Sequence, residues 1–139
     1  MAAVGTRTLT VSIDSTDYTA AVSTCEVTSA ETDSDFTSFT DAAAGGKRDY
    51  KLHIVAVQDH ESASFWDKIW STTGSTVDYL IKPYGNAAAS ATQPHYTGEA
   101  IVSEPDGVLL GGEADASASA RFTIEVEWAC LDKPTKVVT

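Results

Sequence analysis

The sequence predicts a mainly β fold: a β-sandwich or rolled sheet with one short flanking α-helix at about residues 64–73. Three observations carry this. Several stretches alternate apolar and polar residues with period two, most cleanly RTLTVSID at 7–14 and RFTIEVEWAC at 121–130. Ser and Thr are abundant while Leu, Met and Gln are scarce, a composition that suits strands better than helices. Only one segment, SFWDKIWSTTG, has helical periodicity, and it holds two of the three tryptophans.

In chain order, residues 7–14 place Leu9, Val11 and Ile13 on one face and Thr8, Thr10 and Ser12 on the other. Residues 15–17 (STD) read as a turn, and 18–29 (YTAAVSTCEVTS) as a second strand with Cys25 and Val27 inward, able to form a hairpin with the first. Residues 30–46 (AETDSDFTSFTDAAAGG) are acidic and rich in Ser and Thr, and read as a long loop of the kind that is usually functional or mobile. Phe36 and Phe39 stand out in it. They either tuck into the domain's own core or dock onto a neighbouring chain, with Asp33 and Asp35 beside them.

Residues 47–59 (KRDYKLHIVAVQD) form the longest predicted strand. Tyr50, Leu52, Ile54 and Ala56 lie on one face and Lys51, His53, Val55 and Val57 on the other. The helix follows. At 100° per residue Phe65, Trp66, Ile69 and Trp70 fall within an arc of about 140°, which makes them core anchors. Ser64 and Asp67 fit a capping box, and Gly74 is a natural stop. A helix below about 12 residues is marginal alone, so its aromatic face must pack on a sheet.

Residues 76–83 (TVDYLIKP) alternate again, with Val77, Tyr79 and Ile81 in phase. Residues 95–104 (HYTGEAIVSE) place Tyr96, Gly98, Ala100 and Val102 in phase, and Gly98 signals a bulge or a close backbone approach. In the last strand Phe122, Ile124, Val126, Trp128 and Cys130 point to the core, while Arg121, Thr123, Glu125 and Glu127 face out. Residues 132–139 read as an extended tail on what is otherwise a single domain spanning 1–139.

Charge and cysteine usage bound the function. With 20 acidic and 9 basic side chains the formal charge is −11. That opposes tight nucleic-acid binding, which needs clustered Lys and Arg, but not a surface past which DNA slides. Cys25 and Cys130 lie in apolar strand patterns and are expected as buried free thiols rather than a disulfide. The N-terminus lacks a signal-peptide pattern and no apolar run reaches the ~18 residues of a membrane span, so a soluble protein made in the cytoplasm is expected. His53, His60 and His95 are dispersed, and no Cys-x-x-Cys, phosphate-cradling glycine motif or Gly-x-Ser-x-Gly elbow occurs. No catalytic residue, metal ligand or cofactor is expected, and an enzyme is the weakest reading.

The run from residue 49 to 128 resembles the major tail tube proteins of long-tailed (siphovirus-type) bacteriophages, particularly those infecting actinobacteria. The resemblance is carried by a strand ending in VQD (57–59), then FWDKIW, YLIKPYGN, QPHYTGEA, a Gly-Gly-Glu stretch and FTIEVEW, in that order and spacing. Residues 1–48 are outside it. The resemblance implies a tail-tube-like β-sandwich with a flanking helix. It also implies six-fold rings that stack into a tube through which DNA passes on ejection. Self-association is then the main partnership, with tape measure, tail tip and terminator proteins as further partners. DNA passes transiently, and this chain does not insert in a membrane. The location implied is the virion tail, after assembly in the host cytoplasm.

On that reading residues 30–46, with Asp33, Asp35, Phe36 and Phe39, are the stacking arm, and Glu125 and Glu127 face the channel. Two alternatives remain. One is an adhesion or carbohydrate-binding β-sandwich module with Trp66 or Tyr84 as a stacking platform. The other is a related tail terminator or connector protein.

Overall fold

The computed structural model describes residues 3–32 and 36–139. It is mainly β, with two antiparallel sheets and a short helix as expected. The strands are β1 (Thr10–Ile13), β2 (Thr16–Asp17), β3 (Val22–Glu31), β4 (Arg48–Val57), β5 (Thr76–Lys82), β6 (His95–Ile101), β7 (Thr123–Ala129) and β8 (Thr135–Val137). The α-helices are α1 (Phe39–Ala43) and α2 (Phe65–Thr72), and a single 3-10 turn spans Thr19–Ala21. One sheet runs β2-β1-β5-β6-β8 and the other β3-β4-β7.

Alternation fixes which residues meet between the sheets. In the three-stranded sheet the register sets Leu52 opposite Trp128, Ile54 opposite Val126 and Ala56 opposite Ile124, and all six are buried. The five-stranded sheet contributes Val11, Ile13, Val77, Tyr79, Ile81 and Ala100. Where β6 pairs with β5, Gly98 lies directly opposite Tyr79. A Cβ at Gly98 would lie 2.5 Å from the Tyr79 hydroxyl, so only glycine leaves room for that ring, which is the close approach its place in the strand signalled.

Helix α2 closes one end of the sandwich. Ser64 caps it, its hydroxyl accepting from the Asp67 amide at 3.1 Å. Phe65, Trp66 and Ile69 are buried, and the Phe65 ring sits 5.4 Å from both Trp128 and Tyr18. Lys68 Nζ bonds Asp14, tying the helix to the β1–β2 turn. At the other end the Thr72 and Thr73 hydroxyls donate to the Lys68 and Ile69 carbonyls. Gly74 then turns the chain with φ +93, and its amide donates to Val102 O at 2.7 Å.

Several expectations are corrected. Trp70 is not a core anchor: it is 54% exposed, stacked on Trp66 at 5.2 Å and outside the buried stripe. Phe65, Trp66 and Ile69 make up the buried face of the helix, and the Trp70 ring lies on Trp66 instead. Phe122 precedes β7 and is also exposed; it lies over Gly112 instead of in the core. The turn lies at Asp14–Ser15, both with positive φ, and makes a two-residue hairpin to β2, because Asp and Ser there accept the left-handed region. The 18–29 strand begins at Val22 and pairs with β4, so β1 and β3 belong to different sheets and form no hairpin.

Residues 30–46 are not wholly loop. β3 runs to Glu31, and α1 is a short helix capped by the Ser38 hydroxyl, which accepts from the Asp41 amide. The end of the chain is no free tail either. An Ala100–Cys130 bridge carries it across to the five-stranded sheet, where β8 pairs with β6.

Candidate assembly surface

The outer face of the β3-β4-β7 sheet is the most organised polar surface among the described residues. The register that buries Leu52, Ile54 and Ala56 sends Lys51, His53 and Val55 outward. Glu26 on β3 and Glu127 on β7 lie directly across from His53, and Glu125 across from Val55. His53 Nδ1 is 2.7 Å from Glu26 Oε1, and its Nε2 is 3.3 Å from Glu125 Oε1. Lys51 Nζ lies 3.9 Å from Glu127 Oε2. The Glu26 contact, with that of Glu125 behind it, raises the His53 pKa from its usual value against the opposing effect of partial burial.

Glu125 and Glu127 are therefore exposed on one continuous strip. Sequence alternation identified them but left His53 and Glu26 without a role. Their partnership depends on the β3–β4 register, which no local pattern encodes.

This sheet also has two edges. β3 presents ten residues, with an irregularity between Val22 and Thr24 where the Ser23 hydroxyl turns to Val55 O at 3.3 Å. β7 is the opposite edge, and toward its end the Ser103 hydroxyl donates to Glu127 O at 3.4 Å. Strand edges without a strand partner are templates for further pairing, and on β7 the Ser103 segment already occupies the Glu127 end.

Phe36 and Phe39 are exposed at 77% and 98%, which excludes the alternative in which they fill the chain's own core. Asp33 and Asp35 lie outside the described residues. Around α2, Trp66 is buried and its indole donates to Leu109 O at 2.8 Å, with His60 edge-on to it at 4.2 Å and Trp70 stacked on it at 5.2 Å. Val108 and Leu110, on either side of Leu109, are exposed. Beside them a cleft of about 790 Å³ is lined by Gln58, His60, Val108, Arg121 and Phe122, among others. The Gln58 side chain ties it together by bonding both the amide and the carbonyl of Gly111.

The other groups that react in principle have raised pKa values. Cys25 and Cys130 are both free, as expected, but only partly buried. Burial pushes the Cys25 thiol up to about 12, and burial also raises Cys130. The buried Tyr79 hydroxyl has no hydrogen-bond partner of good geometry among the described residues, and burial raises its pKa too. No group of three or more potential metal ligands comes together among the described residues. No described helix is long and apolar enough to cross a membrane.

No protein-family model matches the chain, and no curated protein matches it.

Proposed function

We propose that this chain is a structural subunit that assembles head-to-tail into rings and stacks them into a hollow tube, as in a bacteriophage tail. The observation that carries the proposal is the β3-β4-β7 sheet. Its two strand edges lie on opposite sides of one charged outer face, backed by the buried apolar side chains of β4 and β7. Joining the β3 edge of one copy to the β7 edge of the next is a heterologous contact, and such a contact closes into a ring if the rotation allows.

Six copies with three strands each give a barrel of about 18 strands, the range in which porin-type barrels leave an open aqueous channel. The outer face would then become the channel wall, carrying Glu26, Glu125 and Glu127 inward. A carboxylate-rich wall repels phosphate and so lets DNA slide without sticking. Phe36 and Phe39, both exposed and the latter the first residue of α1, serve as the stacking arm toward the next ring.

Electron microscopy of the purified protein tests this: stacked rings or tubes are expected, whereas discrete closed rings that never stack would favour a terminator or connector role.

Trp70 favours a second reading. An exposed indole stacked on a rigid neighbour is the geometry of a sugar-stacking platform in an adhesion module. Oligosaccharide binding that is lost in Trp70→Ala, by a protein that stays monomeric, would select that reading. The first reading makes the chain an assembly protein, the second a binding module.

A further inference from the structure

We infer that His53 is a protonated clamp that holds the edge strands β3 and β7 to β4, and that it opens when the ring loses its proton. The geometry carries this. One side chain from each of the three strands meets on the outer face, with the imidazole in the middle and a carboxylate at each ring nitrogen, 2.7 Å to Glu26 and 3.3 Å to Glu125. A neutral imidazole has a single N–H, so one nitrogen would aim its lone pair at a carboxylate. Only the imidazolium suits both neighbours at once.

The remaining charged groups around it agree. On β7, Glu127 lies across from His53 and engages Lys51, which is two residues from His53 on the same face of β4. Asp49 follows farther along that face and accepts from the Thr32 hydroxyl. β3 brings only Glu26 among charged residues, since its other outward neighbours are Thr24 and Thr28. Carboxylates thus dominate the surroundings, and the His53 side chain is only 16% exposed while the two glutamates are more than half exposed. The shielded member is the one that changes charge.

The sign follows. A histidine whose proton is held by partners present only in the folded state binds that proton more tightly folded than unfolded. The clamp is then complete below the ordinary value of about 6.5 and is lost as pH rises through the raised folded value. Above it, His53 is neutral, one contact turns repulsive, and the two edge strands lose a tie. On the tube reading, each copy then also adds one net negative charge to the channel wall. The clamp itself does not depend on that reading, because it is a property of the single subunit.

The test is an imidazole NMR titration of the purified full-length protein, with amide hydrogen exchange of β3 and β7 measured across the same pH range. A His53 midpoint above about 6.5 is expected. Glu26→Gln is expected to lower that midpoint more than Glu125→Gln, as the distances rank them. Exchange in β3 and β7 is expected to quicken above the midpoint beyond the ordinary rise with pH, and this extra step is expected to vanish in His53→Gln. A midpoint at or below about 6.5, or one that Glu26→Gln leaves in place, would overturn the clamp. So would strand exchange without any step at the midpoint. Should His53→Gln fail to fold, the wild-type and Glu26→Gln titrations still decide. Failure to form tubes bears on the proposed function and leaves this result standing.

Discussion

Trp128 and Trp70 show how much a single residue's environment decides. Trp128 is fully buried, touches the Phe65 ring and donates its indole N–H to Ser103 O at 3.0 Å. Trp128→Ala is expected to cost roughly 3–5 kcal/mol by opening a cavity, read as a lower urea midpoint at constant m-value. Trp70→Ala removes an exposed ring and is expected to cost less than about 1 kcal/mol, leaving a folded protein whose assembly or ligand binding can be measured. Gly98 works by the opposite logic. Gly98→Ala forces a methyl into the Tyr79 ring and is expected to cost about 1–3 kcal/mol. Tyr79→Phe deletes a buried hydroxyl that lacks a good partner, and is expected to be neutral or stabilising in the same denaturation assay. Glycine in phase within a strand made the close approach at Gly98 readable from sequence. The exposure of Trp70 was not readable, because an angular stripe identifies a face without saying where the sheet beneath it ends.

At the scale of elements, strands with strict alternation were legible almost to the residue. Residues 48–57, 76–82 and 123–129 bury the side chains that period two assigns, because each strand is half-buried and a one-residue slip would invert its faces. Elements set by partners were less legible. β8 is a strand only because β6 offers it an edge, and β2 only because Asp14 and Ser15 adopt positive φ. The helix was legible through its cap, and Ser64→Ala is expected to lower stability by about 0.5–2 kcal/mol through loss of that cap, seen in thermal unfolding. The His53 cluster needed register as well as alternation. Without the β3–β4 pairing, Glu26 and His53 are merely two polar residues 27 positions apart.

For the whole molecule, the division of labour between the two sheets is the main consequence of the sequence. One sheet is widened to five strands by β2 and β8; the other stops at three with β3 and β7 as its edges. Deleting residues 34–44 removes the exposed phenylalanines and α1, which has no buried residue, so a folded subunit that forms rings but no long tubes is expected, as judged by sedimentation and microscopy. Full-length tubes from that deletion would show that the arm does not stack rings.

The most direct single measurement is a cryo-electron microscopy map of whatever the purified, concentrated protein forms. The expected result is a hollow tube of stacked rings, with β3 of one copy beside β7 of the next and Glu125 and Glu127 on the channel wall. Protein that stays monomeric at every concentration, or a tube that carries those carboxylates on its outer surface, would contradict it.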